Sequence, residues 1–165
     1  MDTVLDLSYL IYDAVSDGSR WQMVLEALAC AMRCHAGAFS LWDHRGINVS
    51  CWYGYSNEDV LLYVNRYAAD DPWRVGASRI AEGQVSTSED LCPPEEIEQS
   101  VAYREFYGPR GVRYGVGGNI LHGDAGMSSI ILARGKEGGP CGEPEKSILC
   151  RSCHTFAGRL CFMGS

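Results

Sequence analysis

Lysine is nearly missing from this chain. Two lysines stand beside twelve arginines, and acidic residues outnumber both, for a formal net charge of −7. A chain this poor in positive charge lacks the electrostatic footprint of a nucleic-acid binder, and it spells no helix-turn-helix, so DNA binding is not expected of it alone. Long apolar runs are missing too; none approaches the ~20 residues of a membrane span. The opening stretch MDTVLDLSYLIYDAV has acidic residues and no basic n-region. A secretory leader is therefore not expected, and the expected compartment is the cytoplasm. Neither G-x-S-x-G nor a P-loop occurs, and His35, His44, His122 and His154 are scattered, so no enzyme is expected. Gly115-Val116-Gly117-Gly118 lies in a strand-like run and opens no helix. These glycines suit the close approach of a ligand or a helix better than a phosphate cradle.

What is present is a single globular domain, residues 1–165. Apolar residues make 46% of the chain and charged residues 21%, the balance of a soluble domain long enough for a real core. Apolar spacing predicts helices over Leu5–Val15 and Arg20–Arg33, the second capped by Ser19. Ala38–Asp43 and Ile47–Tyr53 read as strands joined by the turn Asp43-His44-Arg45-Gly46. A helix follows over Asp59–Tyr67 and ends at Asp71-Pro72, because the residue before proline avoids the helical region. Val85 lies in a short extended piece, and Pro93-Pro94-Glu95-Glu96 opens a helix running to Tyr107. Two apolar runs, Tyr114–Leu121 and Met127–Ala133, flank a glycine-containing turn and form a second hairpin. Glu143–Met163 is the last helix. Helix, hairpin and helix at the end of such a chain imply an α+β domain, an α/β/α sandwich of PAS or GAF type around a central antiparallel sheet.

Aromatic residues gather in the segments between the two hairpins. Trp42, Trp52, Tyr53, Tyr55, Tyr63, Tyr67, Trp73 and Tyr114 can wall an apolar cavity for a small organic molecule. Asp71 and Arg113 are the polar anchors to expect, because a charge among aromatics needs a partner. The candidate ligand-binding set is thus Trp52, Tyr55, Tyr63, Tyr67, Asp71, Trp73, Arg113 and Tyr114. Asp71-Pro72 has a second reading, as a capped turn.

Eight cysteines are many for a cytosolic chain. Most read as small buried apolar residues. Cys150-Arg151-Ser152-Cys153-His154 also spells C-x-x-C-H, the attachment signature of c-type haem. The other readings of Cys150, Cys153 and His154 are a metal or iron–sulfur site, with Cys30, Cys34 or His35 as further ligands, and a redox thiol. In the last helix Leu149, Cys153, Phe156, Leu160 and Met163 follow a 4, 3, 4, 3 spacing. That seam suits packing on the domain's own sheet, and it also suits pairing with a second subunit on the way to an output domain.

The ordered stretches SDGSRWQMVLEALACAMRCHAGAFSLWD, YVNRYAADDPW, GQVSTSEDL, YREFYGPRGVRYGVGGNIL and SILCRSCHTFAGRL resemble the N-terminal sensor domains of LuxR-type transcriptional regulators. The resemblance runs from about Leu7 to Leu160. It implies a PAS/GAF-like domain that binds a small molecule against its sheet and dimerises, with DNA contacted through a helix-turn-helix domain that this chain does not contain. The branch of that family that binds acyl-homoserine lactones has a Tyr, Trp, Tyr, Asp-Pro signature. Tyr55, Asp59, Tyr63 and Asp71-Pro72 are similar to it, with Asp59 where that branch has tryptophan. By this resemblance Asp71 accepts a ligand N–H and Tyr63 lines the pocket.

Overall fold

The computed structural model describes residues 17–163, with the side chains of 18 and 156–163 outside the description. The expected helix Leu5–Val15 therefore lies outside the described residues. A short turn at Gly18–Arg20 leads into α1 (Trp21–Ala31). Asp17 caps that turn through the Ser19 amide, so the capping carboxylate stands two residues ahead of the serine expected in that role. Both work by offering an oxygen to the first free N–H groups.

Five strands form one antiparallel sheet in the order β2-β1-β5-β4-β3. They are β1 (Ala36–Asp43), β2 (Gly46–Tyr53), β3 (Val85–Thr87), β4 (Tyr114–Gly123) and β5 (Gly126–Arg134). The first hairpin turns at Asp43, whose carboxylate takes the Arg45 amide at 2.8 Å. β1 and β5 meet at the centre, pairing Ala38 with Ile131 and Ser40 with Ser129. Helices cover both faces, so the chain is an α+β sandwich of the expected type.

Strand alternation divides the residues between the faces. On one face Phe39, Ile130, Leu132, Val116 and Ile120 pack with Val24, Leu25 and Leu28 of α1 and Leu149 and Cys153 of α6 (Glu143–Met163). Leu25, Leu28, Ile130, Leu132, Leu149 and Cys153 have no exposed surface. The last helix has the bounds its spacing predicts. The first two positions of its seam serve the domain's own core. α6 lies mainly over β4, where a Cβ on Gly118 would stand 2.8 Å from the Cys153 Sγ. Only glycine lets the helix sit that close.

The other face is covered by shorter pieces. α2 (Asn57–Leu62) begins at Ser56 in a capping box with Asp59 and continues as a π-helical turn, Tyr63–Tyr67. α3 (Pro72–Ala77) starts at once after Asp71. α4 (Ser88–Leu91) follows β3. The helix expected to run unbroken to Tyr107 divides at Ser100, where the backbone turns extended (ψ 149°). Its parts are α5 (Pro94–Gln99) and a second π-helical turn, Ala102–Tyr107. Such turns admit an extra residue per turn and collect at functional sites. These two meet through Tyr63, Tyr67 and Phe106, whose rings pack 5.3 and 5.6 Å apart. Among the described residues no helix is long and apolar enough to cross a membrane.

Candidate functional site: a cavity over the sheet

Between the sheet and the short helices lies a cavity of about 110 Å³. Its floor follows from the sequence. On this face the central strands carry Ala38, Ser40, Ser129, Ala133, Gly115 and Gly117, whose small side chains leave room beneath the covering layer. Ala38, Ile131 and Gly117 form one cross-strand row in the middle of the sheet. Each keeps accessible surface, and Ile131 is 37% exposed where a central strand residue is ordinarily covered. The walls are Trp42, Ile47, Val49, Trp52, Tyr55, Val60, Tyr63, Trp73 and Tyr107. An enclosed apolar space with a few polar groups is the usual form of a small-molecule site.

Asp71 stands in one wall and is 1% exposed. Its Oδ1 takes the Trp73 amide at 2.9 Å, which caps α3. Its Oδ2 takes the Tyr63 hydroxyl at 2.7 Å and the Tyr107 hydroxyl at 2.6 Å. A carboxylate has about four acceptor positions, and hydrogen bonds from the protein fill three of them. Burial raises the Asp71 pKa above the ordinary carboxylate value, opposed by the Tyr107 and Tyr63 hydrogen bonds. Burial and the Asp71 charge push both phenols well up, so they stay protonated donors. The capped turn expected as the second reading of Asp71-Pro72 is present, and Asp71 also lines the cavity where the first reading put a ligand anchor.

Of the residues expected at the site, Trp52, Tyr55, Tyr63, Asp71 and Trp73 line the cavity. Tyr67, Arg113 and Tyr114 stand apart from it. Tyr67 donates to Glu105 at 3.0 Å. Arg113 pairs with Glu98 at 3.2 Å and Glu89 at 3.6 Å, its guanidinium 4.8 Å from the Tyr114 ring centroid. Asp59 does not line the cavity either. It completes the α2 capping box and binds Arg110 at 2.7 Å. Sequence reasoning missed Tyr107, Arg74 and Ser129. Tyr107 closes the Asp71 cluster from a segment 36 residues away. Arg74 is adjacent to Asp71-Pro72-Trp73 and was within reach of the same motif.

Among the described residues, four buried side-chain polar atoms have no hydrogen-bond partner: Trp42 Nε1, Trp73 Nε1, Arg74 Nε and Ser129 Oγ. All four residues line this one cavity. Leaving a buried polar group unsatisfied costs ~1–3 kcal/mol, and here four such atoms belong to residues around one cavity.

The C-x-x-C-H cysteines face different surroundings. Cys153 is fully buried on the sheet-facing side of α6, where burial pushes its thiol up to about 12. Cys150 is half-buried, its Sγ 4.0 Å from His154 Nε2 on the outer side. Cys34 is buried, and His35 reaches the Arg110 carbonyl at 3.4 Å. Among the described residues no three metal-binding side chains come together.

Comparison with known proteins gives the fold a context. No protein-family model matches the chain. No curated protein matches it either. Solved structures do. The LBD domain of VqsR from Pseudomonas aeruginosa superposes with a TM-score of 0.77 at 12% identity, over 98% of this chain and 99% of that one. The N-acylhomoserine lactone-dependent LuxR family transcription factor CepR2 from Burkholderia cenocepacia gives 0.68 at 15% identity, over 96% of this chain and 93% of that one. The GAF domain of a phosphoenolpyruvate-protein phosphotransferase from Coxiella burnetii gives 0.64 at 12% identity, over 98% and 96%. These likenesses establish a PAS/GAF-like fold.

Proposed function

We propose that this domain is the signal-sensing unit of a LuxR-type transcriptional regulator, and that a small organic molecule enclosed by the cavity is its signal. The observation that carries this reading is the uncovered row Ala38–Ile131–Gly117 under an aromatic wall. A sheet interior left open in this way loses packing contacts that a ligand would restore. Trp52, Tyr55, Tyr63 and Trp73 enclose the ligand, and Asp71 holds two of the aromatic walls and α3 in place. The fold shared with CepR2 supports the assignment. On this reading the domain acts as a cytoplasmic homodimer without catalysis, and ligand binding controls DNA contact by a helix-turn-helix domain outside this segment.

The test is direct. N-phenylnaphthylamine, a neutral dye that brightens in apolar surroundings, should bind saturably. Ala38→Leu fills the floor and should abolish that binding while the melting temperature holds or rises. No binding by the parent protein, or equal binding by a folded Ala38→Leu variant, refutes the cavity as a ligand site.

A further inference from the structure

The sensing reading leaves the chemistry of the ligand open, and the four unpartnered atoms narrow it. Three of them are N–H donors, and the fourth is a hydroxyl that can donate. The cavity's one carboxylate, Asp71, already accepts three hydrogen bonds from the protein. A ligand for this wall therefore brings acceptor oxygens.

The donors are not spread evenly. Trp42 and Ser129 sit on neighbouring strands of the cavity face, two rungs apart, since Trp42 pairs with Met127 and Ser40 with Ser129. That diagonal spacing is about 7–8 Å. Arg74 joins them, its guanidinium 4.7 Å from the Trp42 ring centroid. One Arg74 Nη donates to the Ala69 carbonyl at 2.9 Å, while the buried Nε has no acceptor. Among the described residues no carboxylate pairs with Arg74. The nearby Asp43 is taken by Arg45 at 3.0 Å.

Trp42, Ile47 and Arg74 also line a second, outer groove formed with Val64, Ala69, Ser78 and the β4–β5 turn. They stand at the mouth, with the inner cavity on one side and the groove on the other. A positive charge between chamber and groove can hold a negative group while an apolar body lies inside. Charge-assisted hydrogen bonds there offset the cost of burying the pair. The small floor residues Ala38 and Gly117 continue inward from Ser129 and leave room for the body.

We propose that the ligand is a small apolar monocarboxylic acid, bound with its carboxylate at the mouth between Arg74 Nε, Trp42 Nε1 and Ser129 Oγ and its apolar body over the Ala38–Ile131–Gly117 row. This inference is built on the sensing reading above and goes beyond it in naming an anion and its receptor atoms. Arginine suits the task because its fork matches two carboxylate oxygens and is always charged.

The test displaces bound N-phenylnaphthylamine at neutral pH with hexanoate, octanoate, decanoate and dodecanoate, and with the methyl ester of each. At least one acid should displace the dye about ten- to a hundredfold more effectively than its ester. Arg74→Gln should remove that preference while the dye still binds. Trp42→Phe removes the indole N–H together with part of the ring, and should weaken the acid more than the ester. Equal displacement by acid and ester, or displacement by neither, overturns the anion proposal and leaves the cavity standing. A preference that survives Arg74→Gln overturns the assignment to that residue. Failure of the dye itself to bind falls instead on the sensing reading.

Discussion

The Tyr107 hydroxyl donates to Asp71 Oδ2 at 2.6 Å, across 36 residues of chain. That one bond ties the second π-helical turn to the cap of α3, and through Asp71 to Tyr63 of the first π-helical turn. The wall of the cavity is held by this cluster rather than by any single helix, each of which is too short to be stable alone.

Tyr107→Phe should therefore destabilise the domain by ~1.5–3 kcal/mol, the worth of a hydrogen bond to a charged group. Asp71→Asn should cost at least as much, because an amide has one oxygen where Asp71 accepts on both. Both should lower the melting temperature more than they weaken dye binding. A normal melting temperature with lost binding in Asp71→Asn would make Asp71 the ligand's anchor instead.

Acid should act oppositely on two aspartates. Asp71 has a raised pKa in the folded state, so its contribution falls as pH rises from the ordinary carboxylate value through the folded pKa. Asp59 is lowered by the Ser56 amide and by Arg110, so its contribution is present above the ordinary value and lost as pH falls through its folded pKa. Denaturant titrations across that range should show Asp71→Asn losing ground to the parent protein on acidification. Asp59→Asn should gain on it. Parallel curves for all three would contradict both assignments.

Gly118→Ala should drive a methyl group into Cys153 Sγ, 2.8 Å away, at a cost of ~1–3 kcal/mol. Cys153→Ala opens space there. In a double-mutant cycle the pair should be less harmful than the sum by ~0.5–3 kcal/mol. Additive losses would mean that α6 is not seated on that glycine.

The seam of α6 continues in sequence beyond the buried Leu149 and Cys153 to Phe156, Leu160 and Met163. If those positions pair two subunits, Phe156→Glu with Leu160→Glu should shift the protein toward monomer in sedimentation velocity. A dimer that survives both changes excludes the last helix from the interface.

The four longer strands were legible because each is a largely apolar run between turn residues. Asp43-His44-Arg45-Gly46 and His122-Gly123-Asp124-Ala125-Gly126 marked both hairpins. The last helix was legible from its periodicity. The division of the helix before Tyr107 was not. It comes from the backbone at Ser100 and from ring packing around Phe106, and tertiary contact set it against local helix preference. At the site, Tyr55, Tyr63, Asp71 and Trp73 could be read from a compact motif. Tyr107 could not, because nothing local in YREFYGPRG points 36 residues back to Asp71. Asp59 occupies a signature position yet serves the chain by capping α2 and binding Arg110.

Gly117 and Gly118 are neighbours in the chain and point to opposite sides of β4. The first is floor to the cavity, and the second lies against Cys153 of α6. Neither has a side chain to cushion a push. The partition between chamber and helix is at that point bare backbone, held flat by ladder bonds on both sides. On the sensing reading, a ligand resting on Gly117 is separated from α6 by the thickness of one peptide chain.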